Sequence, residues 1–370
     1  MSGSVDFQTP SSEHARQVLS QLTKLQHHFR DGVDMLSQRF GDGATLEYQS
    51  WRRDEGRHGG GWRYEASEAG ILNRGSLNIS AVHYDDLPQR RLSSATALSC
   101  IIHPAHPKAP SLHMHVSWTE LRDGVGGGWR LMADLNPSIP NDVDTGEFRV
   151  AVERGLDALP KAERGHAFAQ GDRYFYIPAL ERTRGVAHCY LEQWRGGDFH
   201  TERQIAGRFI SSVIGTYLSI LERAYSERTE PTVEERLAQL DYHTLYFLQV
   251  LTLDRGTSSG LLVHNQNDRG ILGSLPMYVS PQRLQSWVER LPVPQDQLLM
   301  TLIAALPVGE PVRLDGACRE RLAAIVRAHY QEKPEALSLQ ARGDRLPPTV
   351  AQHNEGKTPT HIEAPERSPR

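Results

Sequence analysis

His103-Pro-Ala-His-Pro-Lys-Ala-Pro-Ser-Leu-His-Met-His115 puts four imidazoles on one short piece of chain. Pro104, Pro107 and Pro110 each fix φ near −65° and remove a backbone donor, so the first half reads as an extended lead-in that cannot be helical. The second half alternates. Leu112, Met114, Val116 and Trp118 fall on one side, and Ser111, His113, His115, Ser117 and Thr119 on the other, as on a half-buried strand. His113 and His115 therefore point the same way, with their roots roughly 6.6 Å apart, within joint reach of one ion or one substrate. A strand whose polar face merely carries histidines is the bland alternative.

Length and composition bound what surrounds this segment. The 370 residues suffice for a large core in one domain or two, with 38% apolar residues, 23% charged and a net charge of −4. Lys and Arg are scattered, so no nucleic-acid partner is implied. Cys100, Cys189 and Cys318 are an odd number, far apart, which fits a reducing cytosol and no disulfide framework. The opening Met-Ser-Gly-Ser-Val-Asp-Phe-Gln lacks a basic and an apolar signal region, and no run of about 18 apolar residues occurs. A cytoplasmic protein with no membrane partner is expected.

Outward from the histidines, Val18, Leu19, Leu22, Leu25, Phe29, Val33, Leu36 and Phe40 recur at helical spacing and predict a long amphipathic helix over about 11–40. Strands are expected at 47–51, 71–83, 97–102, 112–121 and 129–135, with glycine-rich turns at Gly59-Gly60-Gly61 and at Asp123 to Gly128. This is an antiparallel meander. Residues 148–159 read as helix, 173–177 and 186–194 as strands, 202–225 as a strong helix, and 245–253 as a last strand ending at the turn Asp254-Arg-Gly-Thr257. Helices near 281–291, 295–306 and 317–330 close a domain of residues 1–340. The polar remainder, 341–370, reads as a disordered tail.

The glycine triplets sit in no phosphate-loop or dinucleotide-binding context and are turn material. No His-Glu-x-x-His or Cys-x-x-Cys is present, which leaves metalloprotease and zinc-finger readings unsupported. What remains is a set of polar residues at strand ends: Ser99, His103, His106, His113, His115, Asp134, Arg184, His188 and Glu192. Asp134 suits either a turn cap or a catalytic carboxylate. His188, Tyr190 and Glu192 share one strand face, as solvated positions or as part of a site.

In order and content these pieces resemble the oxygen-dependent coproporphyrinogen III oxidases, from about Tyr48 to Trp287. Trp51-Arg-Arg-Asp-Glu-Gly56 is similar to the family's W-x-R-x-E-G-G-G, and Leu77-Asn-Ile-Ser80 to V-N-F-S. Ser99-Cys-Ile-Ile-His-Pro104 with His113-Met114 resembles S-L-V-x-H-P…H-M-N-V-R. Ala133-Asp-Leu-Asn-Pro137 resembles D-L-T-P, and Asp172-Arg-Tyr-Phe-Tyr176 with Arg184-Gly-Val186 resembles D-x-Y-F-Y…R-G-V. Leu253-Asp-Arg-Gly-Thr257 and Ser274-Leu-Pro276 match D-R-G-T and S-L-P. Each motif is weak alone, and seven in order are specific.

The resemblance implies an α+β fold, a large antiparallel sheet flanked by helices, usually a homodimer, with a small-molecule substrate in a cleft beside the sheet. It implies an oxidoreductase in which O2 drives oxidative decarboxylation of propionates to vinyl groups with no organic cofactor. His113 and Asp134 would handle protons, and Ser99, Ser117, Arg184 and Arg269 would meet the substrate. The departures are specific. Ser117 stands where the family has arginine, and Asn265-Gln-Asn267 replaces a G-G-R, with Arg269 close by. Trp129-Arg-Leu-Met132 replaces a W-W-F-G-G-G approach, and Ala179 stands where a family histidine is proposed to bind metal in some members.

Histidines are gained instead: His106 and His115 replace asparagine, and His188 replaces glycine. Imidazole is the commonest ligand for transition metals. A mononuclear iron, manganese or copper centre is therefore expected on His103, His113, His115 and His188, with His106, Asp134 or Glu192 as further ligands. The leading expectation is an O2-dependent oxidase of this superfamily with an altered substrate. Its rivals are an authentic coproporphyrinogen III oxidase, with Arg130 or Arg269 compensating, and a non-catalytic metal or tetrapyrrole binder.

Overall fold

The computed structural model of the protein describes residues 7–341 and 343, apart from 123, 125, 228 and 265. Ser12 caps the first helix, α1 (Glu13–Phe40), by accepting from the Ala15 backbone N–H. Six strands follow in meander order: β1 (Glu47–Arg52), β2 (Gly59–Ala69), β3 (Leu72–His83), β4 (Leu92–Pro104), β5 (Ser111–Leu121) and β6 (Gly126–Asn136). Helices α2 (Asp142–Gly155) and α3 (Lys161–Tyr174) lead to a small ribbon, β7 (Tyr176–Ile177) with β8 (Arg182–Thr183), and then to β9 (Ala187–Trp194). β9 closes a seven-stranded sheet in the order β1-β2-β3-β4-β5-β6-β9, antiparallel throughout. The α+β architecture expected from sequence is present.

Alternation sets the two faces of this sheet. Leu77, Ile79, Leu98, Cys100, Met114, Val116, Leu131, Ala133, Cys189 and Leu191 form the inner face, packed on Val18, Leu22 and Phe29 of α1 and on Phe209, Val213 and Tyr217 of α4 (Phe199–Ser226). The opposite face carries the polar set and is roofed by a second layer. That layer contains α5 (Val233–Thr252), α6 (Arg255–Val263), α7 (Asp268–Ile271), α8 (Pro281–Gln285), α9 (Gln295–Ala304) and α10 (Gly316–Glu332), with the ribbon of β10 (Tyr278–Val279) and β11 (Val312–Arg313) between them. Its apolar cluster joins Ile101 of the sheet to Tyr246, Phe247, Leu251, Leu298 and Val326.

Several sequence expectations are corrected here. Residues 245–253 are not a strand but the buried end of α5, whose residues from Tyr242 to Thr252 are all buried. A helix enclosed on every side has no polar stripe, and its short apolar run cannot be told from a buried strand by periodicity. The glycine triplets begin strands instead of forming turns. A Cβ at Gly61 would lie 2.6 Å from Trp51 Nε1, and one at Gly127 1.8 Å from the Trp118 ring, so both glycines make room for indoles. Asp123 and Val125 of the second expected turn lie outside the described residues. Residues 173–174 end α3, so the strand expected over 173–177 shrinks to Tyr176–Ile177. Asp254-Arg-Gly-Thr257 starts α6, with Asp254 accepting from the Thr257 N–H at 2.7 Å. Of the lead-in, Pro104 ends β4, and residues 105–110 are the connection between β4 and β5. The expected tail lies outside the described residues beyond Ala341 and Gly343.

Candidate active site

Ladder register assembles the polar face row by row. Ile101, His113, Asp134 and His188 are successive cross-strand partners on β4, β5, β6 and β9. Ser99, His115, Met132 and Tyr190 form the next row, and Ser117 pairs with Arg130 beyond it. Cross-strand Cβ atoms lie about 5 Å apart, so one small region of sheet collects all of these side chains. Above it is a cavity of about 200 Å³, floored by Ser99, His113, His115 and Arg130 and roofed by Tyr174 of α3, Tyr246 and Val250 of α5 and Thr257 of α6. Asp254 joins the wall and accepts from the Tyr174 hydroxyl at 2.8 Å.

Behind the cavity lies a buried ion pair. Arg184 Nη2 donates to Asp134 Oδ2 at 2.9 Å and Arg184 Nε to the same oxygen at 3.1 Å, both side chains being 0% exposed. The same guanidinium donates to Gln249 Oε1 at 2.5 Å and lies between the Phe175 and Tyr246 rings. Its Nη2 also meets His113 Nδ1 at 2.6 Å. Guanidinium only donates, so His113 Nδ1 accepts and the ring proton must sit on Nε2. Burial, followed by the Arg184 charge, holds His113 well below the usual histidine range. His113 is thus a neutral ring fixed in one tautomer. Gly185 is required beside this pair, because a Cβ there would fall 1.9 Å from Asp134 Oδ1.

His188 is clamped between carboxylates, with Nδ1 3.3 Å from Asp134 Oδ1 and Nε2 2.7 Å from Asp172 Oδ1. Carboxylates accept only, so both ring nitrogens donate and the ring is an imidazolium. Burial opposes that charge, but the hydrogen bonds and charges of Asp134 and Asp172 outweigh it and raise the His188 pKa. A raised folded-state value means that the stabilisation is complete below the unfolded pKa of about 6.5 and is lost as pH rises through the higher folded value. Urea unfolding from pH 6 to 9 should show stability falling in the wild type, with a shallower fall in His188→Asn. Equal slopes would remove His188 from the clamp.

The expected metal centre does not assemble, and the hydrogen bonds give the reason. His103 lies in 3.0 Å contact with the Ser111 hydroxyl through Nδ1 and donates Nε2–H to the Ser274 carbonyl at 3.1 Å, so its proton faces that carbonyl and its lone pair faces the hydroxyl. His188 has no lone pair to offer, and the Nδ1 lone pair of His113 is spent on Arg184. His106 lies apart, donating Nε2–H to the Thr229 carbonyl at 3.0 Å. Among the described residues no group of three His, Cys, Asp or Glu side chains could hold an ion. Of the four proposed ligands, only His113 and His115 face the cavity.

The expected substrate residues also separate. Ser99 floors the cavity, Arg184 is sealed behind it, and Arg269 lies outside, 73% exposed and donating to Glu320 at 2.9 Å. The assignment of Arg269 to the substrate is corrected on that ground. Asn265 lies outside the described residues. Ser117 is buried but does not line the cavity, and its ladder partner Arg130 does. The missed residues, Tyr174, Gln249 and Asp254, reach the site on helices. Gln249 sits in the segment misread as a strand, and an Asp followed by Gly-Thr was legible as a helix cap.

Comparison with known proteins agrees with this fold. Residues 17–289 match the sequence profile of coproporphyrinogen III oxidase, and the chain belongs to that family. It is similar to the oxygen-dependent coproporphyrinogen-III oxidase of Prochlorococcus marinus, 27% identical over 306 residues that cover 72% of this chain and 85% of the relative. It is also similar to that of Rickettsia akari, 27% identical over 245 residues, with 63% and 84% covered. Among the described residues, no helix is long and apolar enough to cross a membrane.

Proposed function

We propose that the protein is an O2-dependent oxidative decarboxylase whose substrate carries fewer carboxylates than coproporphyrinogen III. Its catalytic domain spans residues 1–340, and the reading includes a cytoplasmic homodimer, as the resemblance implies. The reaction takes a carboxyethyl arm to a vinyl group: R–CH2–CH2–COO⁻ + O2 + H⁺ gives R–CH=CH2 + CO2 + H2O2. A hydrogen and the carboxylate leave adjacent carbons, and O2 takes up the electron pair. Two cavity groups suit this chemistry. His113 offers Nε2–H as a fixed neutral donor, and His115, whose pKa is pushed down to about 3 by burial and then by the Arg130 charge, stays neutral. A carboxylate set among neutral groups is poorly solvated, which favours its departure as CO2, because the transition state disperses that charge. Asp134 orients His113 through Arg184 from behind the cavity wall.

The altered substrate rests on one observation: among the described residues, Arg130 is the single cationic side chain in the cavity wall. A charge-assisted hydrogen bond to a carboxylate contributes about 1.5–3 kcal/mol, so three unmatched carboxylates of a tetra-acid forgo several decades of affinity. Incubation with coproporphyrinogen III in air-saturated buffer, followed by chromatography of the oxidised porphyrins and by O2 uptake, is expected to leave the tetra-acid intact. Formation of mono- or divinyl product at a rate exceeding the protein-free control would establish an authentic coproporphyrinogen III oxidase instead.

A further inference from the structure

The wall between β6 and β9 contains a guanidinium held at one end and open at the other. Arg130 Nε donates to Glu192 Oε2 at 2.6 Å, and the Glu192 side chain is 1% exposed. The Tyr190 hydroxyl donates to the same oxygen at 2.5 Å. Tyr190 in turn stacks on Tyr174 at 4.3 Å, and Tyr174 donates to Asp254. Two carboxylates and two stacked rings thus fix the direction of Arg130. Its Nη1 and Nη2 have no hydrogen-bond partner among the described residues, and the side chain lines the cavity.

We infer that Arg130 is the anchor for one substrate carboxylate, the one the reaction retains, with Glu192 as its positioning residue. With Nε spent on Glu192, the paired Nη groups present the end-on fork that matches a single carboxylate bidentately. His115, on the same floor and neutral, adds a ring N–H donor or acceptor beside it. The anchored carboxylate is not the one lost as CO2, because a guanidinium clamp stabilises the ground state more than a transition state from which charge is leaving. The substrate class is therefore a compact molecule with one anchored acid and one reactive carboxyethyl arm. The cavity beside Arg130, about 200 Å³, has room for a five-membered heterocycle with its side arms. This deepens the decarboxylase reading and rests on it.

The test uses 3-(1H-pyrrol-3-yl)propanoate and its carboxamide as probes, titrated into the full-length protein by calorimetry. The acid is expected to bind at least about tenfold more tightly than the amide, a factor worth about 1.4 kcal/mol. In the double variant Arg130→Met with Glu192→Gln, which leaves no unpaired buried charge, that preference should vanish while the melting temperature stays near that of the wild type. Arg130→Lys, which keeps the charge and loses the fork, should retain only part of it. No preference in the wild type, or one that survives in the double variant, overturns the assignment. Turnover of coproporphyrinogen III with an intact Arg130-dependent preference would defeat the altered-substrate reading and leave the anchor standing.

Discussion

Arg184→Met is expected to cost about 3–5 kcal/mol of unfolding free energy, the usual penalty for leaving a buried charge without its partner. Asp134 is 0% exposed, and two of the Arg184 nitrogens donate to it. With the guanidinium gone, His188 at 3.3 Å is the one partner left to the carboxylate among the described residues, and neither Gln249 Oε1 nor His113 Nδ1 retains its charged donor. Against a typical total of about 5–15 kcal/mol, that is a large share. Adding Asp134→Asn should recover part of the loss, because no buried anion is then stranded and contacting residues are not additive. Urea denaturation of the two variants and the wild type measures both quantities. A single-variant loss under about 1 kcal/mol would mean that the pair is not the sealed ion pair described. The same variant should free the His113 tautomer, visible as a change in its ring nitrogen shifts.

Ser117→Arg carries the second largest expected effect, about 2–3 kcal/mol of destabilisation. Ser117 is 7% exposed and stands opposite Arg130 in the ladder. A second guanidinium there would face the first across about 5 Å at the Cβ atoms, with Glu192 the one carboxylate bonded to Arg130 among the described residues. The exchange Ser117→Arg with Arg130→Ser restores one guanidinium in the same region and should relieve most of the cost. A double-mutant cycle is expected to give a coupling above about 1 kcal/mol; simple additivity would show that the two positions do not compete for one charge. Arg130 thus stands directly across the ladder from Ser117, the position where the family resemblance has arginine.

Much of the sheet was legible because period two is a strong local signal. Residues 112–121 and 186–194 lie within a residue of their observed strands, and His113, His115, His188 and Glu192 fall on the faces assigned to them. The roof was not legible. Residues 245–252 are buried all round and mostly apolar, so neither helical nor strand period stands out, and Gln249 and Tyr246 were lost with the misread helix. Gly59 to Gly61 and Gly126 to Gly128 looked like turns because a glycine's local preference does not reveal that an indole covers it.

By itself the sequence determined direction: which side chains share a face, that His103 and His113 flank a hairpin connection, and that the chain belongs with a sheet-based oxidase family. Tertiary structure alone decided which of those side chains are free to act. Counting histidines suggested a metal, but a ligand needs a spare lone pair: the Ser111 hydroxyl meets that of His103, Arg184 takes that of His113, and Asp134 with Asp172 leaves none on His188, so among the described residues His115 stands without a second ligand. Arginine numbering likewise pointed to Arg184 and Arg269, whereas burial closed off the first and exposure removed the second. A repeat period fixes where a side chain points. What it meets there depends on chain reversals that bring distant residues together, and only the folded molecule contains those.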